Sequence, residues 1–548
     1  MILLILATLI MTALSSDEGT CSAETCAPKS VPEFSSTRDG WKMPTALFEQ
    51  NLEEVAPQEQ EVIFGKLPEW LNGKLYRVGP GMFEKGGRKV RNLVDGLSKV
   101  HMWSFNGAAA PTFAASFLKS DIYNRTMAAG ELVPYKHLDK FDPPLTKLEK
   151  AKVMFWDDEP DNNNIAPWNL ASKGVTICNE SPIYIDIDRE SLEFQRKFVA
   201  KSSDYKRFVK EAFSASHFAR HPSGDSINYK FVIPMDGGVF SGVKKPAYHL
   251  YRYTETESGD VLANFVGDVP IEGMDIRGIH SLGATENFAI LPRFALYFEL
   301  SDPVEIGTGA KIGPHKETFF DVVSLVDGTR TQFKFPSHNA MHIINSFERK
   351  NEAGQTEVVI DWPTIDSVEG IKNSNIFELL NRETLTDPNY SYEEHFPHYT
   401  KFTLRRFTLN METGEGTQYD YPRMWSPDAI EVEFPYINDN YRGLPYCYAY
   451  FQTWNHDAHN AMGLLKVDMC KETSVGWERK NKFPVEPVFA ARPGGEGEDD
   501  GVVLAPVFDA DTGRSELYVW DAKSLEVVAI VNTPIVVPYS LHGTWIPE

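Results

Sequence analysis

Short apolar runs recur along most of the chain, often with every second position apolar, and they are cut by Gly, Pro, Asn and Asp. A period of two is the signature of half-buried strands. It predicts strands over 74–78, 183–187, 356–361, 402–409, 446–451 and 501–508. Hairpin turns are predicted between such runs at Asp327-Gly, Met411-Glu-Thr-Gly and Asp511-Thr-Gly, where Asp or Gly tolerates the tight backbone. Helical spacing is scarce. It appears over 204–213, around 145–155 and over 375–382, as insertions between strands. Many short strands with regular turns predict an all-β chain, either a propeller or a large sandwich. No clean repeat of WD-repeat length is present, so a propeller here has diverged blades.

Composition narrows the setting. The 548 residues include 42% hydrophobic and 12% aromatic side chains, enough for a large core and an apolar cavity. A formal net charge of −23 disfavours nucleic acid and purely electrostatic docking on anionic lipid. Residues 1–14 (MILLILATLIMTAL) are apolar and run into Ser15 and Ser16. The run is short for a membrane span and reads as a signal peptide over 1–16; no Lys or Arg precedes it, and an uncleaved anchor is the alternative. That places the protein outside the cell or in an endomembrane lumen, with a leader over 17–47 and one large domain over 48–548. Cys21 and Cys26 are candidates for a local disulfide. Cys178, Cys447 and Cys470 are scattered and read as buried thiols. Sequons begin at Asn124, Asn179 and Asn389.

Four of the fourteen histidines stand in distinctive contexts. They are His221 in Ala-Arg-His-Pro, His280 in Gly-Ile-His-Ser-Leu-Gly, His342 in Ala-Met-His-Ile-Ile-Asn and His542 in Leu-His-Gly-Thr-Trp. They lie too far apart to share a helix, so only a fold that converges on one axis brings them together. A lone histidine beside apolar residues is ordinarily a satisfied buried group. His217, four residues before His221, is a competitor for the first position.

These contexts resemble the iron-binding motifs of the carotenoid cleavage oxygenases. Other blocks resemble that family in the same order. They are Leu67-Pro-Glu-Trp-Leu-Asn-Gly-Lys-Leu-Tyr-Arg-Val-Gly-Pro-Gly81, Asn92-Leu-Val-Asp-Gly96 with His101, Glu433-Phe-Pro-Tyr-Ile-Asn438, and Glu486-Pro-Val-Phe489 through Glu498-Asp-Asp-Gly-Val-Val-Leu504. The likeness runs from about Phe48 to the end and is greatest to the animal branch. It implies a seven-bladed β-propeller with a cap of helices and loops. It implies iron(II) on His221, His280, His342 and His542, with His221 preferred to His217 because His-Pro matches the family motif. It implies three supporting carboxylates: Glu180 orients His280, Glu433 orients His342 and Glu486 orients His542. Glu180 with Asn179 then faces the iron, and the Asn179 sequon carries no glycan.

Four neutral imidazoles suit iron(II) and leave open positions for dioxygen. The implied reaction is cleavage of a carotenoid or apocarotenoid double bond by O2, giving aldehydes or ketones such as retinal. A retinyl ester isomerohydrolase would use the same site without O2, and a non-catalytic polyene-binding propeller is the third reading. The run Val153-Met-Phe-Trp156 is either core packing or a peripheral membrane contact. Residues 121–171 contain no cysteine, unlike the isomerohydrolase branch, and this counts against an acyl anchor.

Overall fold

The computed structural model describes residues 40–155, 160–203, 209–235, 245–271, 275–298, 304–305, 310–312, 316–366, 381–382, 402–425, 430–455 and 462–548. Among the described residues, seven sheets of four to six strands succeed one another along the chain, antiparallel except for the edge pair Lys201–Ser202 with Val261–Pro270. Sheets of neighbouring blades pack face to face. Trp103 and Phe113 of the first blade meet Trp520 and Val503 of the seventh, with Trp477 of the sixth close by. Ile290 and Phe320 of the fourth meet Trp362 and Phe407 of the fifth. The core is therefore divided among the blade interfaces, as a propeller requires. Central strands such as Ile183–Ile187 and Gly501–Asp509 are buried throughout, whereas the outer strand Gly416–Asp420 is exposed throughout.

The ring is latched twice. The last strand, His542–Pro547, pairs with Asn72–Met82 and becomes the inner strand of the first blade. The early strand Val62–Gly65 pairs with Val527–Asn532 as the outer strand of the seventh. Inner strands of adjacent blades touch around the axis, including His542–Pro547 with both Ala166–Trp168 and Val488–Ala491.

Three inner strands are broken in two. The halves are Val209–Phe213 and Ala219–Arg220, His338–Asn339 and Asn345–Lys350, and Lys482–Pro484 and Val488–Ala491. Each gap frees a short stretch of backbone to aim side chains at the axis.

Among the described residues, two α-helices lie outside the blade sheets. Asp121–Ala129 starts at Ser120, whose Oγ accepts from the Tyr123 N–H, and ends at left-handed Gly130. Lys147–Phe155 opens on a reciprocal cap, with Thr146 Oγ1 accepting from Glu149 N–H and Glu149 Oε2 accepting from Thr146 N–H. Among the described residues, no helix is long and apolar enough to cross a membrane.

All six predicted strands and the three predicted turns are present. Two expectations are corrected. The described part of 204–213 is strand Val209–Phe213, because pairing with Phe231–Pro234 overrides local helix preference. Cys447 and Cys470 are not thiols but a disulfide, with Cα atoms 5.2 Å apart. They flank the paired strands Tyr448–Asn455 and Met462–Asp468, whose register sets Tyr448 opposite Asp468. Cys178 is free and buried. Cys21, Cys26, Asn389 and all of 375–382 except Asn381 and Arg382 lie outside the described residues.

Candidate metal centre

Four imidazoles converge on the propeller axis: His217, His280, His342 and His542. One ring nitrogen from each lies within 4.8 Å of the others. His217 and His342 occupy gaps between inner-strand halves, His280 precedes inner strand Gly283–Ala284, and His542 opens the closing strand.

Three carboxylates fix the rings. Glu180 Oε1 accepts from His280 Nδ1 at 2.6 Å, Glu433 Oε2 from His342 Nδ1 at 2.6 Å, and Glu486 Oε1 from His542 Nδ1 at 2.8 Å. An ionised carboxylate only accepts, so each Nδ1 carries the proton and each Nε2 presents a lone pair. His280 Nε2 lies 3.0 Å from His342 Nε2, which lies 3.1 Å from His542 Nε2. Lone pairs facing one another at that distance repel unless a cation sits between them. Two ligand nitrogens each about 2.1 Å from one ion and about 90° apart are about 3.0 Å from each other. Among the described residues, His217 has no carboxylate partner, and its buried Nε2 has no hydrogen-bond partner. The donor set therefore fits a divalent ion that takes four neutral nitrogens.

Supporting groups set the electrostatics. Burial holds His542 and His217 well below the usual imidazole range, so both are neutral. Burial pushes the Glu486 carboxyl up to about 7, opposed by Arg77 and the Gly543 N–H. Arg77, itself fully buried, donates from Nη1 to Glu486 Oε2 at 2.9 Å and from Nη2 to Ser540 O at 2.8 Å. Glu433 is turned inward by an irregularity in register before Tyr436, with Phe434 at φ 54°. The Phe434 ring lies 5.0 Å from that of His342.

The expectation for the first ligand is corrected: His217 stands in the group and His221 does not. His221 follows the half-strand Ala219–Arg220 and starts a turn, with its N–H on Asp225 O and Gly224 N–H on its own carbonyl. Its Nδ1 meets Ser223 Oγ at 2.7 Å and its Nε2 meets Glu286 O at 2.9 Å. Pro222 in the His-Pro pair marks this turn rather than a ligand. The segment is not helical, so four-residue spacing does not put both rings on one face. His217 was named as a competitor, whereas Phe434 and Arg77 escaped sequence reasoning, though both lie inside blocks quoted above.

A cavity of ≈ 340 Å³ reaches His280, Glu180 and Asn179. Its walls include Phe213, Tyr229, Phe231, Ile279 and Leu296, and its outer part is lined by Met154 of helix Lys147–Phe155. Asn179 Oδ1 accepts from Ser181 N–H at 2.8 Å.

The chain is similar to known proteins. A family model described as retinal pigment epithelial membrane protein matches residues 48–547. The mitochondrial carotenoid-cleaving dioxygenase of Macaca fascicularis is 26% identical over 538 residues, covering 88% of this chain and 91% of that protein. The carotenoid isomerooxygenase of Galleria mellonella is 26% identical over 519 residues, covering 90% and 95%. The solved structure of cobalt-substituted Synechocystis apocarotenoid oxygenase matches with a TM-score of 0.73 at 20% identity, covering 93% of this chain and 99% of that one.

Proposed function

This chain belongs to the retinal pigment epithelial membrane protein family, which includes the carotenoid-cleaving dioxygenases, and from that premise we propose that it cleaves a double bond of a carotenoid or apocarotenoid with O2, using iron(II). The observation that carries the reading is the set of inward-facing Nε2 lone pairs at the end of an apolar cavity.

His217, His280, His342 and His542 would hold the ion. Iron(II) on neutral nitrogens supplies an electron-poor centre with open positions for dioxygen. The chain's own groups do the rest. Glu180, Glu433 and Glu486 keep each Nδ1 protonated and each ring fixed in direction. Phe213, Tyr229, Phe231 and Ile279 give a long apolar substrate a dry wall and exclude water from the reacting bond. Asn179 puts an amide on the same wall as Glu180.

The substrate enters from a bilayer surface. Leu148, Met154 and Phe155 are 65%, 41% and 67% exposed on one helix, and Met154 also lines the cavity. The protein enters the secretory route, a reading supported by the apolar run 1–14 and by the Cys447–Cys470 bridge. Non-reducing peptide mapping of the secreted protein should recover the bridged peptides; free thiols at both positions would count against an oxidising compartment.

The decisive experiment is anaerobic iron loading, then incubation with β-carotene, zeaxanthin and retinyl ester, with oxygen uptake and product chromatography. Aldehyde or ketone products with stoichiometric O2 uptake are expected. A retinol isomer from the ester without O2 uptake would overturn the reading in favour of isomerohydrolysis, and no product from any of the three would reduce it to polyene binding.

A further inference from the structure

A second cavity of ≈ 80 Å³ lies on the axis and shares no lining residue with the first. His217, His342 and His542 border it. Arg220, Arg442 and Asp439 border it as well.

The charges there do not balance. Arg442 donates from Nε to Asp439 Oδ1 at 2.5 Å, which accounts for one cation. Glu486 also lines the space, but its oxygens already serve His542, Arg77 and the Gly543 N–H. Arg220 has no carboxylate partner among the described residues, and its buried Nε has no hydrogen-bond partner. Its guanidinium carbon sits 4.9 Å from the Trp168 ring centroid, a contact that steadies a cation without neutralising it. Arg220 is half-buried, and a charge partly withdrawn from water without a partner gains from a bound counter-ion. The guanidinium presents several N–H donors in a rigid fork suited to an anion.

We propose that this axial channel is a binding site for a small monoanion, of halide or bicarbonate size, held by Arg220 beside the Arg442–Asp439 pair. The volume admits a small ion and excludes a lipid or peptide. This cavity shares no lining residue with the apolar one, so the anion does not compete with a polyene. The proposal does not depend on which metal the histidines hold.

The test uses the full-length protein crystallised without chloride and then with sodium bromide, read by bromine anomalous scattering. A peak in the channel within hydrogen-bond distance of the Arg220 guanidinium is expected. It should vanish in Arg220→Gln and persist in Arg220→Lys, which keeps a cation. In solution, the excess broadening of the chloride-35 NMR line should fall at least tenfold in Arg220→Gln. No anomalous peak in the channel of the wild-type protein overturns the proposal, and so does a peak of equal strength in Arg220→Gln. If Arg220→Gln does not fold, the wild-type map and Arg220→Lys decide.

Discussion

His217 and His221 are four residues apart, yet one ring faces the axis and the other is consumed by a turn. His217→Ala should abolish iron binding and cleavage, because only three imidazoles remain. His221→Ala should keep one iron per chain and lose about 1 kcal/mol, the worth of an ordinary hydrogen bond. Metal analysis and thermal unfolding of the two variants check this, and a metal-free His221→Ala would refute it. The three glutamates divide in a similar way. Glu486 is 6% exposed and paired to a fully buried Arg77, whereas Glu180 is 46% exposed toward the cavity. Both substitutions to Gln should weaken iron binding by about 10–100-fold. Only Glu486→Gln should also cost about 3 kcal/mol of stability, since it strands the buried guanidinium. Equal melting temperatures for the two variants would show that Arg77 finds other compensation. His280, His342 and His542 and the three glutamates were legible because distinctive blocks surround them. His217 was legible only as a competitor, because a His-Pro pair advertises its neighbour while a turn is what that pair encodes.

Single elements were legible where local chemistry decides them. The strand Ile183–Ile187 and helix Lys147–Phe155 follow from periodicity, and the Thr146–Glu149 cap reinforces the latter. The interruptions between Phe213 and Ala219 and between Asn339 and Asn345 were not legible. A broken strand has no local signature, since partners from the next strand and the axis hold its two halves. The Cys447–Cys470 bridge was hidden for the same reason: a hairpin register, not spacing, brings its ends together. Helix Lys147–Phe155 yields a prediction at this scale. Its Leu148 and Phe155 present most of their apolar surface to solvent. Each apolar side chain moved from water into lipid contributes about 2 kcal/mol. The wild-type protein should float with neutral phosphatidylcholine liposomes, and Leu148→Glu/Phe155→Glu should stay in the aqueous fraction with an unchanged melting temperature. Equal flotation of both proteins would assign membrane contact elsewhere.

Closure of the ring and assembly of the site depend on the same strand. His542–Pro547 makes six register pairs with Asn72–Met82, and its first residue is a member of the histidine group. No local pattern announces this, because the pairing joins positions more than 450 residues apart and only the complete propeller brings them together. The consequence is that metal loss and ring opening separate cleanly by variant. His542→Ala leaves Gly543–Pro547 on the ladder and keeps Trp545 and Ile546 buried, so the protein should still unfold cooperatively while binding no iron. Ending the chain after Ser540 removes the strand, exposes the Asn72–Met82 edge and forfeits the burial of Leu541, Trp545 and Ile546, about 2 kcal/mol each. That sum rivals the whole stability margin of a typical domain. The truncated chain should therefore lose its cooperative transition and aggregate, whereas His542→Ala remains monodisperse by size-exclusion chromatography. A truncated protein that melts like His542→Ala would mean that the outer latch, Val62–Gly65 on Val527–Asn532, closes the propeller alone.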